Sequence, residues 1–141
     1  MNRIVEPPPH VSGNDWNSWK WQNRMALKTS NQFEDYFKLT EDELTAFKAP
    51  NFKIQVTPYY ASLVEPGDPE DPIRKILVPT SKELTSFHQQ MVDPLGENKN
   101  RPHSRIIHRY PDRLLLLVTD LCSVYCRYCT RKHFTASDQA F

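Results

Sequence analysis

Five apolar residues in succession, Leu114 to Val118, lead almost directly into three cysteines, Cys122, Cys126 and Cys129. An apolar run of that length without polar alternation predicts a strand covered on both faces, as in a parallel sheet flanked by helices. The three cysteines are the chain's whole complement. An odd number packed so tightly makes a poor disulfide framework and a good metal site. The expected local plan is therefore a buried strand that delivers a metal-binding loop.

Upstream, the punctuation is helical. Residues 1–13 contain a triple proline and little apolar content, which predicts a flexible tail. A helix should follow, capped by Asn14 or Asp15, with Trp16, Trp19, Met25 and Ala26 sharing a face. Thr40-Glu41-Asp42-Glu43 is a capping box that opens a helix through Leu44 and Phe47 and ends by Pro50. Thr57-Pro58 is a second start signal. Pro66, Gly67, Pro69 and Pro72 predict a loop. Thr80-Ser81-Lys82-Glu83 predicts a helix to about Met91, stopped by Asp93-Pro94-Leu95-Gly96. Residues 97–104 are polar and loop-like.

Residues 14–104 thus read as a helical N-terminal region and 105–141 as the start of an α/β domain. Nothing upstream supplies convincing partners for the apolar strand, and only twelve residues follow Cys129. The expectation is a truncated chain.

Composition narrows the function classes. Eighteen basic and seventeen acidic residues give a formal net charge of +1, which offers no electrostatic case for a nucleic-acid partner. No apolar run approaches a membrane span, and the first residues lack the apolar core of a signal peptide. A cytoplasmic protein is expected. None of the three glycines belongs to a phosphate-cradling loop.

The cysteine spacing is C-x3-C-x2-C. Three thiolates can ligate three irons of a 4Fe–4S cluster and leave the fourth iron open, the mark of a catalytic rather than a structural metal. His133, four residues after Cys129, keeps a second possibility alive: a Cys3His zinc site in a non-enzymatic protein. A cluster-binding remnant without catalysis is a third.

The spacing, with Tyr128 before the last cysteine, resembles the radical S-adenosylmethionine superfamily. The flanks resemble something narrower. His108-Arg109-Tyr110-Pro111-Asp112-Arg113, the leucine run, and Thr119-Asp120-Leu121 through Thr130-Arg131 are similar to the lysine 2,3-aminomutase family. So are Thr57-Pro58-Tyr59-Tyr60-Ala61-Ser62-Leu63, Asp71-Pro72-Ile73-Arg74-Lys75 and Asp93-Pro94-Leu95. The resemblance covers about residues 15–141.

What this resemblance implies is an α/β fold: a helical N-terminal region, then the first strand and cluster loop of a partial (βα) barrel. It implies a 4Fe–4S cluster on Cys122, Cys126 and Cys129, S-adenosylmethionine with its adenine near Tyr128, and pyridoxal phosphate near Arg109, Tyr110 and Arg113. Arg131 corresponds to the arginine that pairs with the substrate carboxylate. The implied reaction moves an amino group from the α to the β carbon of an amino acid, with a flavodoxin or ferredoxin as electron donor and a homo-oligomeric enzyme. One departure stands out: the family's three consecutive arginines are here Arg131-Lys132-His133. The lysine that binds pyridoxal phosphate and the acidic residues that read the substrate side chain lie beyond Phe141 in such enzymes. Lysine, glutamate, arginine and a protein lysyl group therefore all remain open as substrates.

Overall fold

A computed structural model describes residues 5–49, 53–85, 93–131 and 135. The chain divides into two units: Met1–Thr85 with Ser123–Tyr128, and Ser86–Cys122 with Cys129–Phe141.

The first unit is built of short, individually capped helices. Ser12 accepts the Asp15 amide at 3.1 Å and opens α1 (Gly13–Trp16); Ser18 accepts the Trp21 amide at 3.4 Å and opens α2 (Trp19–Arg24). The expected single helix from Asn14 or Asp15 is thus two, because serine hydroxyls satisfy backbone amides where a helix would continue. The expected common face breaks with it. Trp16 and Ala26 are buried, while Trp19 is 63% and Met25 50% exposed.

Thr29 and Gln32 form a capping box on α3 (Ser30–Glu34), and Thr40 and Glu43 form the expected one on α4 (Glu41–Phe47). Pro50 lies outside the described residues. Pro58 takes the first position of α5 (Pro58–Ser62), as its fixed φ and missing amide favour. Pro72 does the same in α6 (Pro72–Leu77), where Asp71 accepts the Arg74 amide at 2.8 Å. The proline loop therefore ends at Asp71, and Pro72 starts a helix. The Thr80–Glu83 box opens a 3-10 turn, Ser81–Leu84. Thr85 is extended and ends the turn, so the helix expected toward Met91 stops at Leu84; residues 86–92 lie outside the described residues.

Leu27, Phe33, Phe37, Leu39, Val56, Ala61, Val64, Leu77, Val78 and Val124 form the core of this unit. One ion pair is buried beside it. Arg74 donates from Nε to Glu43 Oε1 at 2.8 Å and from Nη2 to Glu43 Oε2 at 2.6 Å, and Nη2 also reaches the Lys38 carbonyl at 2.8 Å. The Arg74 guanidinium stands 4.8 Å from the centre of the Phe37 ring. Burial pushes the Glu43 carboxyl up, but hydrogen bonds from Arg74 and Thr40 and the arginine charge outweigh it and hold the carboxyl below its ordinary range.

The second unit contains an antiparallel hairpin, β1 (Ile106–Tyr110) and β2 (Arg113–Leu116), after a short 3-10 turn, Asn98–Asn100. Ile106 pairs with Leu116, Ile107 with Leu115, and Tyr110 with Arg113, leaving Pro111-Asp112 as the turn. Proline fixes a negative φ, and among the described residues only Gly96 has a positive one, so the turn is not of the primed type that matches strand twist. The register irregularity between Ile107 and Tyr110 absorbs the mismatch.

Here the structure corrects the strand expected from the leucine run. A strand exists, but its partner is the upstream segment, and the pairing is antiparallel. It is exposed at every position, with Leu114 at 56% and Leu116 at 55%. The face that carries Leu115 also carries its pair Ile107, which is buried, while Leu114 and Leu116 stay open. A partial barrel is not formed by the described residues.

Candidate metal loop and arginine-lined cavity

Ser123–Tyr128, the middle of the cysteine motif, belongs to the helical unit. Leu27 and Val56 bridge each other, and Val56 bridges Val124 in turn. The Ser123 carbonyl accepts the Thr57 amide at 3.0 Å, and the Tyr125 amide donates to the Gln55 carbonyl at 2.8 Å. Leu27, Val56 and Val124 are all buried, so apolar packing and backbone pairing fix this part of the loop together.

Arg127 fixes its end. Its amide donates to the Ile76 carbonyl at 2.9 Å. Its guanidinium meets Glu83 through Nε at 3.0 and 3.2 Å and through Nη2 at 2.7 Å. Glu83 is the residue that closes the Thr80 capping box, so one carboxylate caps the start of a helical turn and holds the cysteine loop.

All three cysteines are half-buried and none is in a disulfide. Cys126 packs against the core of the helical unit. Among the described residues, no three His, Cys, Asp or Glu side chains are drawn together as a metal site. The donor set itself, three partly accessible thiols outside any disulfide, is the chemistry an iron–sulfur cluster takes. Tyr128 is 70% exposed. His133 lies outside the described residues.

The second unit brings Arg109, Tyr110, Arg113 and Arg131 to the wall of one cavity of about 380 Å³, completed by Leu95, Glu97, Ile107, Leu114 and Leu115. β1 supplies Arg109 and Tyr110, and β2 supplies Arg113 across the turn. The Arg113 guanidinium lies 4.6 Å from the Tyr110 ring centre and that of Arg109 5.8 Å. Arg109 also donates from Nη1 to the Leu95 carbonyl at 2.9 Å. Among the described residues Arg113 forms its ion pair with its exposed neighbour Asp112, at 3.5 Å, a contact too solvated to neutralise it. A cavity so lined favours an anion, and arginine's planar fork suits carboxylate and phosphate.

Arg131 has a partner that the sequence did not reveal. It donates from Nε to Glu97 Oε1 at 3.1 Å and from Nη2 to the same oxygen at 2.7 Å. The Glu97 side chain is 5% exposed and that of Arg131 40%. Arg131 is thus not simply a solvated arginine. Glu97 falls in a stretch whose sequence is polar and loop-like; no motif marks it, and 34 positions separate the pair.

Comparison with known proteins bears on the whole chain. An L-lysine 2,3-aminomutase of Clostridium subterminale is 45% identical over 136 residues, which is 95% of this chain and 33% of that protein. Another from Acetoanaerobium sticklandii is 46% identical over 127 residues, 89% of this chain and 31% of that protein. This chain belongs to the lysine 2,3-aminomutase family. A glutamate 2,3-aminomutase of Clostridioides difficile is also similar, at 38% identity over 120 residues, 84% of this chain and 28% of that protein. The chain spans about a third of the length of the aminomutases it matches. No family model matches it. No helix among the described residues is long and apolar enough to cross a membrane.

Proposed function

We propose that this chain provides the cluster loop and the anion-binding wall of a 2,3-aminomutase, an isomerase that moves the amino group of an amino acid from the α to the β carbon. The observation that carries the reading is the meeting of Arg109, Tyr110, Arg113 and Arg131 on one cavity, in a chain whose relatives are named as lysine and glutamate 2,3-aminomutases. Cys122, Cys126 and Cys129 would hold a 4Fe–4S cluster. Arg109 and Arg113 would receive the phosphate of pyridoxal phosphate, with Tyr110 between them, and Arg131 the substrate carboxylate. Tyr128 would lie by the adenine of S-adenosylmethionine.

When bound, the cluster and S-adenosylmethionine supply a carbon radical, and pyridoxal phosphate spreads the unpaired electron while nitrogen migrates. The protein's task is placement. A carboxylate gripped two positions after the last cysteine fixes where the reacting carbon lies. Arg131→Lys keeps the charge and loses the fork.

The test is a chimera in which this chain replaces the matching third of the Clostridium subterminale aminomutase, assayed for the β-amino isomer of L-lysine. Activity that falls roughly tenfold or more in Arg131→Lys, about 1.4 kcal/mol in transition-state stabilisation, supports the reading. Equal turnover and equal KM in Arg131→Lys and Arg131→Ala would remove Arg131 from the site.

A further inference from the structure

Guanidinium carries five N–H donors arranged along distinct edges. Glu97 engages one edge of Arg131, that of Nε and Nη2, at 2.7–3.3 Å. No described partner takes the Nη1 side, and Arg131 is on the wall of the cavity that Arg109 and Arg113 also line. Glu97 itself is firmly held. Asp93 accepts the Glu97 amide through Oδ1 at 2.9 Å and the Asn98 amide through Oδ2 at 2.8 Å. Gly96 turns the chain at φ +62°, a conformation that side chains with a Cβ resist. A carboxylate buried to this degree is costly unless paired, so it stays on its arginine rather than turning to water.

We infer that Glu97 is a positioning residue: it clamps the Nε/Nη2 edge of Arg131 and thereby leaves the Nη1/Nη2 edge to a carboxylate ligand in the cavity. The inference rests on the reading of Arg131 as a carboxylate-binding residue. It assigns the turn at 93–98 a role in substrate orientation. A competing geometry, in which Glu97 occupies the place of the ligand, would have used the end-on edge.

The test uses this chain labelled with ¹⁵N-arginine and L-lysine as the probe, with lysine's decarboxylated diamine as control. Wild-type protein should show a slowly exchanging Arg131 Nε–H signal that stays in place as L-lysine is added, while the Nη signals shift. Glu97→Gln should lose the protected Nε–H and bind L-lysine about tenfold more weakly, with binding of the diamine unchanged and the β1–β2 amide signals in place. Glu97→Asp, which keeps the charge on a shorter arm, should fall between. Unchanged or tighter L-lysine binding in Glu97→Gln, while Arg131→Ala abolishes it, would overturn the clamp alone. L-lysine binding that survives Arg131→Ala would overturn the underlying reading of Arg131, and the ligand-orienting role of Glu97 with it.

Discussion

Arg127 and Glu83, 44 positions apart, meet through two guanidinium nitrogens and both carboxylate oxygens. Arg127 stands between two of the three cysteines, and Glu83 closes a helical capping box. The pair ties the cysteine loop to the helical unit with side chains only 13% and 27% exposed, so water screens it little.

Arg127→Ala should therefore lower the stability of the helical unit by about 2 kcal/mol, the usual loss for a charge-assisted contact. All three tryptophans lie in that unit, so urea unfolding followed by tryptophan fluorescence reads it directly. A midpoint equal to wild type would show that the backbone hydrogen bonds of Ser123 with Thr57 and of Tyr125 with Gln55 hold the loop without it.

The buried pair of Glu43 and Arg74 predicts an acid transition. The folded carboxyl titrates below its unfolded range, so the folded state binds fewer protons across that interval. The stabilisation is fully present above the unfolded carboxylate pKa of about 4.3 and is lost as pH falls through the lower folded value. Glu43→Gln should cost about 3 kcal/mol at neutral pH, because it leaves the Arg74 charge, 1% exposed, without its counter-ion. The variant should also lose part of the acid dependence. Parallel stability–pH curves for the two proteins would contradict this account.

β2 predicts self-association. Leu116 in β2 and Val118 just after it are 55% and 78% exposed, and among the described residues β2 has one hydrogen-bonded neighbour. An apolar strand with an open edge is a template for pairing. Leu116→Lys with Val118→Lys should shift sedimentation toward monomer at a stability cost within about 0.5 kcal/mol each. A wild-type chain that stays monomeric at high concentration would show that the exposed strand is tolerated.

Local signals were legible where one short stretch decides the outcome. Thr40 with Glu43, and Pro58, each mark a helix start through contacts within three or four residues. Caps at Ser12 and Ser18 instead split one expected helix, and Pro72, expected in a loop, opens a helix, as proline's fixed φ favours at a first helical position. The partner of β2 was missed because Ile106–Tyr110 alternates poorly: His108, Arg109 and Tyr110 are all exposed. The leucine run suggested burial on both faces, but burial depends on neighbours that composition does not reveal. The resemblance singles out Arg109, Arg113 and Arg131, which line one cavity, whereas nothing in the sequence marks Glu97 as the partner of Arg131 or Glu83 as that of Arg127. Their roles come from long-range pairing that no spacing rule encodes.

On the proposed function, Cys122, Cys126 and Cys129 together hold one iron–sulfur cluster. Anaerobic reconstitution of this chain with iron and sulfide, followed by metal and acid-labile sulfide analysis, tests it most directly. About four irons and four sulfides per chain are expected, with broad visible absorption that is lost on replacing any one of the three cysteines by alanine and is indifferent to His133→Ala. One zinc per chain, released by His133→Ala, with iron never retained, would contradict it.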